Sequence, residues 1–121
     1  MEISQIISKL GLVPLPGEGG YFRETYKSSV VIPGSSLPPA YPRKRALSTC
    51  IYYLITPDSF SAIHKLLSEE IWHFYLGDPA EQLQILPNGE SRKIILGNNI
   101  LKGEEPQVIV PAKSLASNKA Y

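Results

Sequence analysis

Apolar residues recur at a helical spacing near the N-terminus and, from Ala46 onward, mostly at the spacing of strands. Ile3, Ile6, Ile7 and Leu10 fall at i, i+3, i+4 and i+7. This predicts one short helix within residues 2 to 11, with Gly11 suited to its C-terminal cap. Leu12-Val13-Pro14-Leu15-Pro16 must be extended, because proline fixes its own φ and moves the preceding residue out of the helical region. Gly17-Glu18-Gly19-Gly20 makes a turn into a strand at Tyr21 to Tyr26, rich in aromatic and β-favouring residues. Residues 33 to 42 hold four of the eleven prolines and read as a long irregular loop. Further strands are predicted at Leu47 to Ile55, Phe60 to Leu66, Ile71 to Leu76, Leu83 to Leu86, Ser91 to Leu96 and Gln107 to Val110, with Pro87-Asn88-Gly89 as a hairpin turn. Short strands at this spacing, without interleaved helices, indicate an antiparallel sandwich or barrel rather than a parallel α/β sheet.

The length of 121 residues fits one domain, 1–121, with a sizeable apolar core. A formal net charge of +1 gives no electrostatic reason to expect nucleic acid or an anionic membrane as partner. The basic run Arg43-Lys44-Arg45 ends the proline-rich loop and reads as solvated rather than as a phosphate site. A single cysteine, Cys50, excludes an intrachain disulfide, and its place between Thr49 and Ile51 predicts a buried, unreactive thiol. The N-terminus lacks a basic region followed by an apolar block, and no apolar run approaches spanning length, so a cytoplasmic protein is expected. There is no CxxC, GxSxG, GxxxxGK[ST] or GxGxxG.

The candidate chemistry lies between Ser61 and Gly77. His64, Glu69-Glu70 and His73 stand in an otherwise apolar, aromatic run, and His64 and His73 are the only histidines. Buried titratable groups are costly unless paired, hydrogen-bonded or ligand-bound. His64 with Glu70 suits proton transfer, the carboxylate orienting the imidazole and raising its basicity. A packed structural pair is the competing reading. Arg23, Tyr52, Tyr53 and Gln107 are candidate donors by residue type; Tyr52 and Tyr53 alternate, so only one can face a pocket. Arg23-Glu24 is expected in a cross-strand or inter-subunit ion pair, and Trp72 in core packing rather than as a substrate platform. Alternation puts Glu70, Trp72 and Phe74 on one face and Ile71, His73 and Tyr75 on the other, so His73 joins the site only across a β-bulge.

His64, Glu70 and Gly77 resemble the first motif of the cupin superfamily. Gly19-Gly20-Tyr21-Phe22-Arg23-Glu24-Thr25-Tyr26, Ser61-Ala62-Ile63-His64, Glu70-Ile71-Trp72-His73-Phe74, Leu96-Gly97 and Pro106-Gln107-Val108-Ile109-Val110-Pro111-Ala112 resemble the small cupin-5 family, over roughly residues 5 to 112. That resemblance implies a mainly β fold, a cupin-like double-stranded β-helix or jelly-roll barrel, and a homodimer. It also implies an architecture like that of sugar-nucleotide epimerases and isomerases. A metal cupin offers three histidines and a glutamate; aligned to that pattern, Leu66 and Ala116 stand at histidine positions and Lys113 at a glycine position. The expectation is therefore a metal-independent site at His64 and Glu70, with Arg23, Tyr52, Trp72, His73 and Gln107 as ligand-binding candidates. Divalent metal at His64 and Glu70 is the weaker alternative. The expected ligand is a small polar metabolite such as a carbohydrate derivative, and the leading activity is epimerase- or isomerase-like. The alternative is a non-catalytic binding or structural cupin, or a truncated remnant without function. Relatives continue after the Val-Pro-Ala segment with strands that close the barrel. The barrel is accordingly expected to be incomplete, with the tail Ala112 to Tyr121 loosely packed.

Overall fold

A computed structural model describes residues 2–39, 41 and 43–121. Ala40 and Pro42 of the proline-rich loop expected at 33 to 42 lie outside the described residues. By their contacts the residues form two compact units, the first from residues 1–14 and 21–54 and the second from 15–20 and 55–121.

In the first unit the amphipathic spacing produces helix α1 (Ile3–Leu10), which ends at Gly11 in the left-handed conformation (φ 65°). Only glycine adopts that conformation without a steric penalty, so the chain leaves the helix where the sequence indicates. β1 (Val13–Pro14), β2 (Tyr21–Lys27) and β5 (Thr49–Leu54) form an antiparallel sheet in the order β1-β2-β5. β3 (Val31–Ile32) and β4 (Arg45–Ala46) pair separately. A bulge between Glu24 and Tyr26 interrupts the β2–β5 register, and the Thr25 hydroxyl donates to the Cys50 carbonyl at 3.2 Å. Cys50 is exposed, contrary to the expected buried thiol. Its neighbours Thr49 and Ile51 are exposed too, so apolar surroundings in sequence do not become a packed environment at this end of the strand.

The second unit holds two sheets. β7 (Glu70–His73) pairs with β10 (Gln107–Val110), and β6 (Phe60–Lys65), β11 (Leu115–Ala120), β8 (Ala80–Ile85) and β9 (Ser91–Leu96) form a four-stranded sheet in the order β6-β11-β8-β9. The β8–β9 hairpin turns through Pro87–Glu90 with Gly89 at φ 89°, as the Pro-Asn-Gly signal predicts. Leu66, Val110 and Ala116 pack together as an apolar cluster with Trp72 against it, which brings the two sheets face to face.

The tail expectation is overturned. β11 is an interior strand, paired with β6 on one side and β8 on the other, and Ser114, Ala116 and Asn118 are buried. The segment has few apolar residues because its inward positions are small or polar; pairing on both edges, not side-chain hydrophobicity, holds it.

Candidate functional site

The inner face of the four-stranded sheet is polar where apolar side chains would be the ordinary occupants. In β8 the fully buried residues are Gln82 and Gln84, both 0% exposed, while Leu83 between them and Ile85 after them are only half-buried. Across β11, Gln84 faces Ala116 and Gln82 faces Asn118; across β6, Ala116 faces His64 and Asn118 faces Ser61. Between those last two pairs β6 advances three residues for two on β11. This β-bulge lets Ser61 and His64 lie in successive inward rows although simple alternation would separate them.

The buried amides form a chain. Gln84 Nε2 donates to Gln82 Oε1 at 2.8 Å, and Gln82 Nε2 donates to Asn118 Oδ1 at 2.8 Å. Gln84 Nε2 also reaches the Ile109 carbonyl on the facing sheet at 3.3 Å. Each end of the chain has a spare group: Gln84 Oε1 and Asn118 Nδ2 are buried without a partner, as is the nearby Ser114 Oγ. An unmatched buried polar atom costs about 1–3 kcal/mol, so three on one inner face point to something that completes them.

His64 is half-buried, and its Nδ1 lies 2.9 Å from the Ala62 carbonyl oxygen. A carbonyl only accepts, so Nδ1 carries a proton, and in the neutral form of the ring the lone pair lies on Nε2. Glu70, at the start of β7, accepts from the Trp72 indole Nε1 at 3.2 Å, a same-face i, i+2 contact. Burial pushes the Glu70 carboxyl above its ordinary value of 4.5; the Trp72 hydrogen bond and the His64 charge pull it back, and the negative charge of Glu18 raises it again. No hydrogen bond or ion pair joins His64 to Glu70, so the two interact through space. Trp72 packs on the apolar cluster and orients Glu70.

Two other candidates are placed elsewhere. β7 and β10 pair without a bulge, with Gln107 opposite His73, and both side chains are exposed on the face opposite buried Val108 and Val110. Alternation directs His73 and Gln107 to the exposed face, away from Glu70, and His73 stacks on Tyr75 at 6.4 Å between centroids. Arg23 and Tyr52 belong to the first unit, where they are register partners and the guanidinium lies 5.7 Å from the tyrosine ring centroid. Arg23 therefore stacks on an aromatic face.

Sequence reasoning missed Glu18, Gln82, Gln84, Ser114 and Asn118. The available signal was Gln82 and Gln84 alternating with Leu83 and Ile85, which is equally compatible with the glutamines facing water. A groove of about 500 Å3 in the same unit is lined by Phe60, Ile63 and Leu83 and also touches Ser61 and Asn118 of the inner face, but it includes neither His64 nor Glu70.

The described residues offer few metal donors at the motif positions of this face. Ala116, 1% exposed, is the register partner of His64, and Leu66 is part of the apolar cluster, so neither motif position supplies a donor. Among the described residues no three His, Cys, Asp or Glu side chains gather as a metal site would need.

Comparison with known proteins agrees with this architecture. The uncharacterized protein YML079W of Saccharomyces cerevisiae is 32% identical over 102 residues, covering 78% of this chain and 49% of the relative. The chain thus spans about half the length of that curated relative. A hypothetical protein from Leishmania major has a solved structure with a TM-score of 0.86 and 30% identity, covering 98% of this chain and 70% of that one. Protein SO0799 from Shewanella oneidensis gives a TM-score of 0.83 and 28% identity, covering 99% and 70%. The family model described as cupin superfamily (DUF985) matches residues 4–120. With its mainly β fold and jelly-roll-like structural relatives, the chain belongs to that family of the cupin superfamily.

Proposed function

We propose that the polar inner face of the second unit binds a small polar metabolite such as a carbohydrate derivative. The observation that carries this reading is the set of three buried, partnerless polar atoms at Gln84, Asn118 and Ser114, on the same face as His64. The chemistry available there is metal-independent proton transfer. His64 Nε2 is the base, because its other nitrogen is committed to the Ala62 carbonyl. Glu70 is the acid, because burial favours its protonated form. Deprotonation of a carbon beside a carbonyl and reprotonation from the other side is the reaction class such a pair serves, which is epimerase- or isomerase-like. The reading includes a homodimer, on the strength of the family resemblance, and a cytoplasmic location.

A second reading, a binding protein without catalysis, is favoured by one feature: His64 and Glu70 each have a local partner and no contact with one another. The test is a panel of pyranoses and polyols followed by amide chemical shifts in wild type and His64→Ala. A binder moves the amides of Ala62, His64 and Ala116. An enzyme additionally exchanges substrate carbon-bound hydrogen with deuterated solvent, and His64→Ala abolishes that exchange while binding persists. Shifts confined to Phe60, Ile63 and Leu83, with those of Ala62, His64, Ala116 and Asn118 unmoved, would overturn both readings.

A further inference from the structure

The side-chain amides of Gln84, Gln82 and Asn118 run in one direction, and a backbone carbonyl sets it. Gln84 Nε2 lies 3.3 Å from the Ile109 carbonyl oxygen of β10 and 2.8 Å from Gln82 Oε1. A carbonyl only accepts, so the Gln84 group facing Ile109 is the amino group, and the two contacts use both of its hydrogens. Gln82 then turns its oxygen to Gln84 and its nitrogen to Asn118 Oδ1, at 2.8 Å. Reversing the chain would set Gln84 Oε1 against the Ile109 oxygen, two acceptors with no hydrogen between them. The free ends are thereby unequal, an acceptor at Gln84 Oε1 and a donor at Asn118 Nδ2. Hydrogen bonds in such a chain polarise one another, which strengthens the terminal N–H of Asn118 as a donor.

Asn118 stands on β11 beside β6, the strand of His64, and one inward row along it: Ala116 faces His64, and Asn118 faces Ser61. Neighbouring strands lie about 4.8 Å apart, and two residues along a strand advance about 7 Å, separations that a molecule of a few carbons spans. Of the three amides only Asn118 borders the groove that also touches Ser61. Removing a proton from a carbon beside a carbonyl needs a base and also a donor for the oxygen that takes up the charge. A neutral N–H fixed in direction beforehand supplies that donor without reorganisation.

We infer that Asn118 Nδ2 receives the substrate's carbonyl oxygen, that Gln82 and Gln84 are the positioning residues that keep it turned as a donor, and that the ligand class is an open-chain hydroxyketone or hydroxyaldehyde. This rests on the proton-transfer reading of the same site. His64 Nε2 takes the proton from the carbon beside the carbonyl; the C–H electron pair becomes a carbon–carbon double bond, and the carbonyl electrons move to the oxygen held by Asn118. Glu70 returns a proton to carbon as the carbonyl re-forms. Proton exchange with solvent then restores both side chains.

The probes are dihydroxyacetone, labelled at its carbonyl carbon, and glycerol, the same skeleton without the carbonyl, on the full chain. In wild type the infrared carbonyl stretch of bound dihydroxyacetone should fall, and the Asn118 side-chain amide resonances should move with it; neither readout depends on a variant folding. Exchange of carbon-bound hydrogen with deuterated solvent should drop about 100-fold or more in Asn118→Asp, which keeps the acceptor for Gln82 and removes the donor. Glycerol affinity should change little in that variant. Gln82→Leu, which frees Asn118 to turn over, should raise the carbonyl stretch back toward its solution value. An unshifted stretch in wild type, or undiminished exchange in folded Asn118→Asp, would overturn the role of Asn118 and leave His64-dependent proton transfer standing. Exchange of a pyranose of the preceding panel but not of dihydroxyacetone would overturn the ligand class. Absence of exchange with every probe would remove the proton-transfer reading and this inference with it.

Discussion

Lys113 shows at residue scale how a departure from the family pattern is accommodated. It occupies a glycine position of the second cupin motif and adopts φ 66°, the one described non-glycine residue with positive φ. Its N–H nonetheless donates to the Leu66 carbonyl at 2.7 Å, so the turn is held by the backbone despite the side chain. A left-handed L-residue costs about 1–2 kcal/mol. Lys113→Gly should therefore raise stability, by about 1 kcal/mol after the entropy lost by glycine in folding is subtracted; urea denaturation measures it, and a destabilised variant would refute the account. Glu70 carries a pH prediction of definite sign. Its folded carboxyl holds a proton better than the unfolded one, whose ordinary value is 4.5. The native state therefore binds more protons, and this contribution is full below about 4.5 and is lost as pH rises through the raised folded value. Glu70→Gln keeps an acceptor for Trp72 and removes the titration. Its urea midpoint should fall less than that of wild type between pH 5 and pH 8.

β11 is the decisive element. It contributes Ala116 and Asn118 to two successive rows of the inner face, and Ser114 directly precedes it. An interior strand exchanges slowly, because opening it breaks two ladders at once. Residues 115 to 120 should show amide protection close to the global limit, and deleting 115–121 should abolish cooperative unfolding. Protection no greater than in the exposed loop around Leu101 would show that the strand frays. The amide chain links β11 to β8: Gln82→Leu removes the partner of Asn118 Oδ1 and one partner of Gln84 Nε2. It should cost about 1–3 kcal/mol, because each side of the replaced amide loses a buried bond. A neutral substitution would mean that water reaches this face.

For the whole molecule, the donor inventory decides metal content. With Ala116 and Leu66 at the positions of two would-be ligands, protein purified without added metal should contain no stoichiometric zinc, manganese, iron or nickel by elemental analysis. Exposed Ile71 and Ile109 lie opposite one another on the outer face of the β7–β10 pair. No helix among the described residues is long and apolar enough to cross a membrane.

The fold class, the short helix with its Gly11 cap, the Pro-Asn-Gly hairpin and the strands at 91–96 and 107–110 were legible in the sequence, because apolar periodicity and turn chemistry are local properties. His64 and Glu70 stood out in the sequence as candidates, because charged groups among residues built for burial are conspicuous. Three things were decided only by tertiary structure. The phase of β8 was one: period-two alternation offers two faces, and packing chose the one that buries Gln82 and Gln84. The bulge in β6 was another, since it arises from the mismatch with β11 and turns Ser61 and His64 to the same side. The third was the tail, whose small and polar residues look like a frayed end until two neighbouring strands hydrogen-bond both of its edges. In each case the energy resides in a pairing between distant segments, which no local pattern encodes.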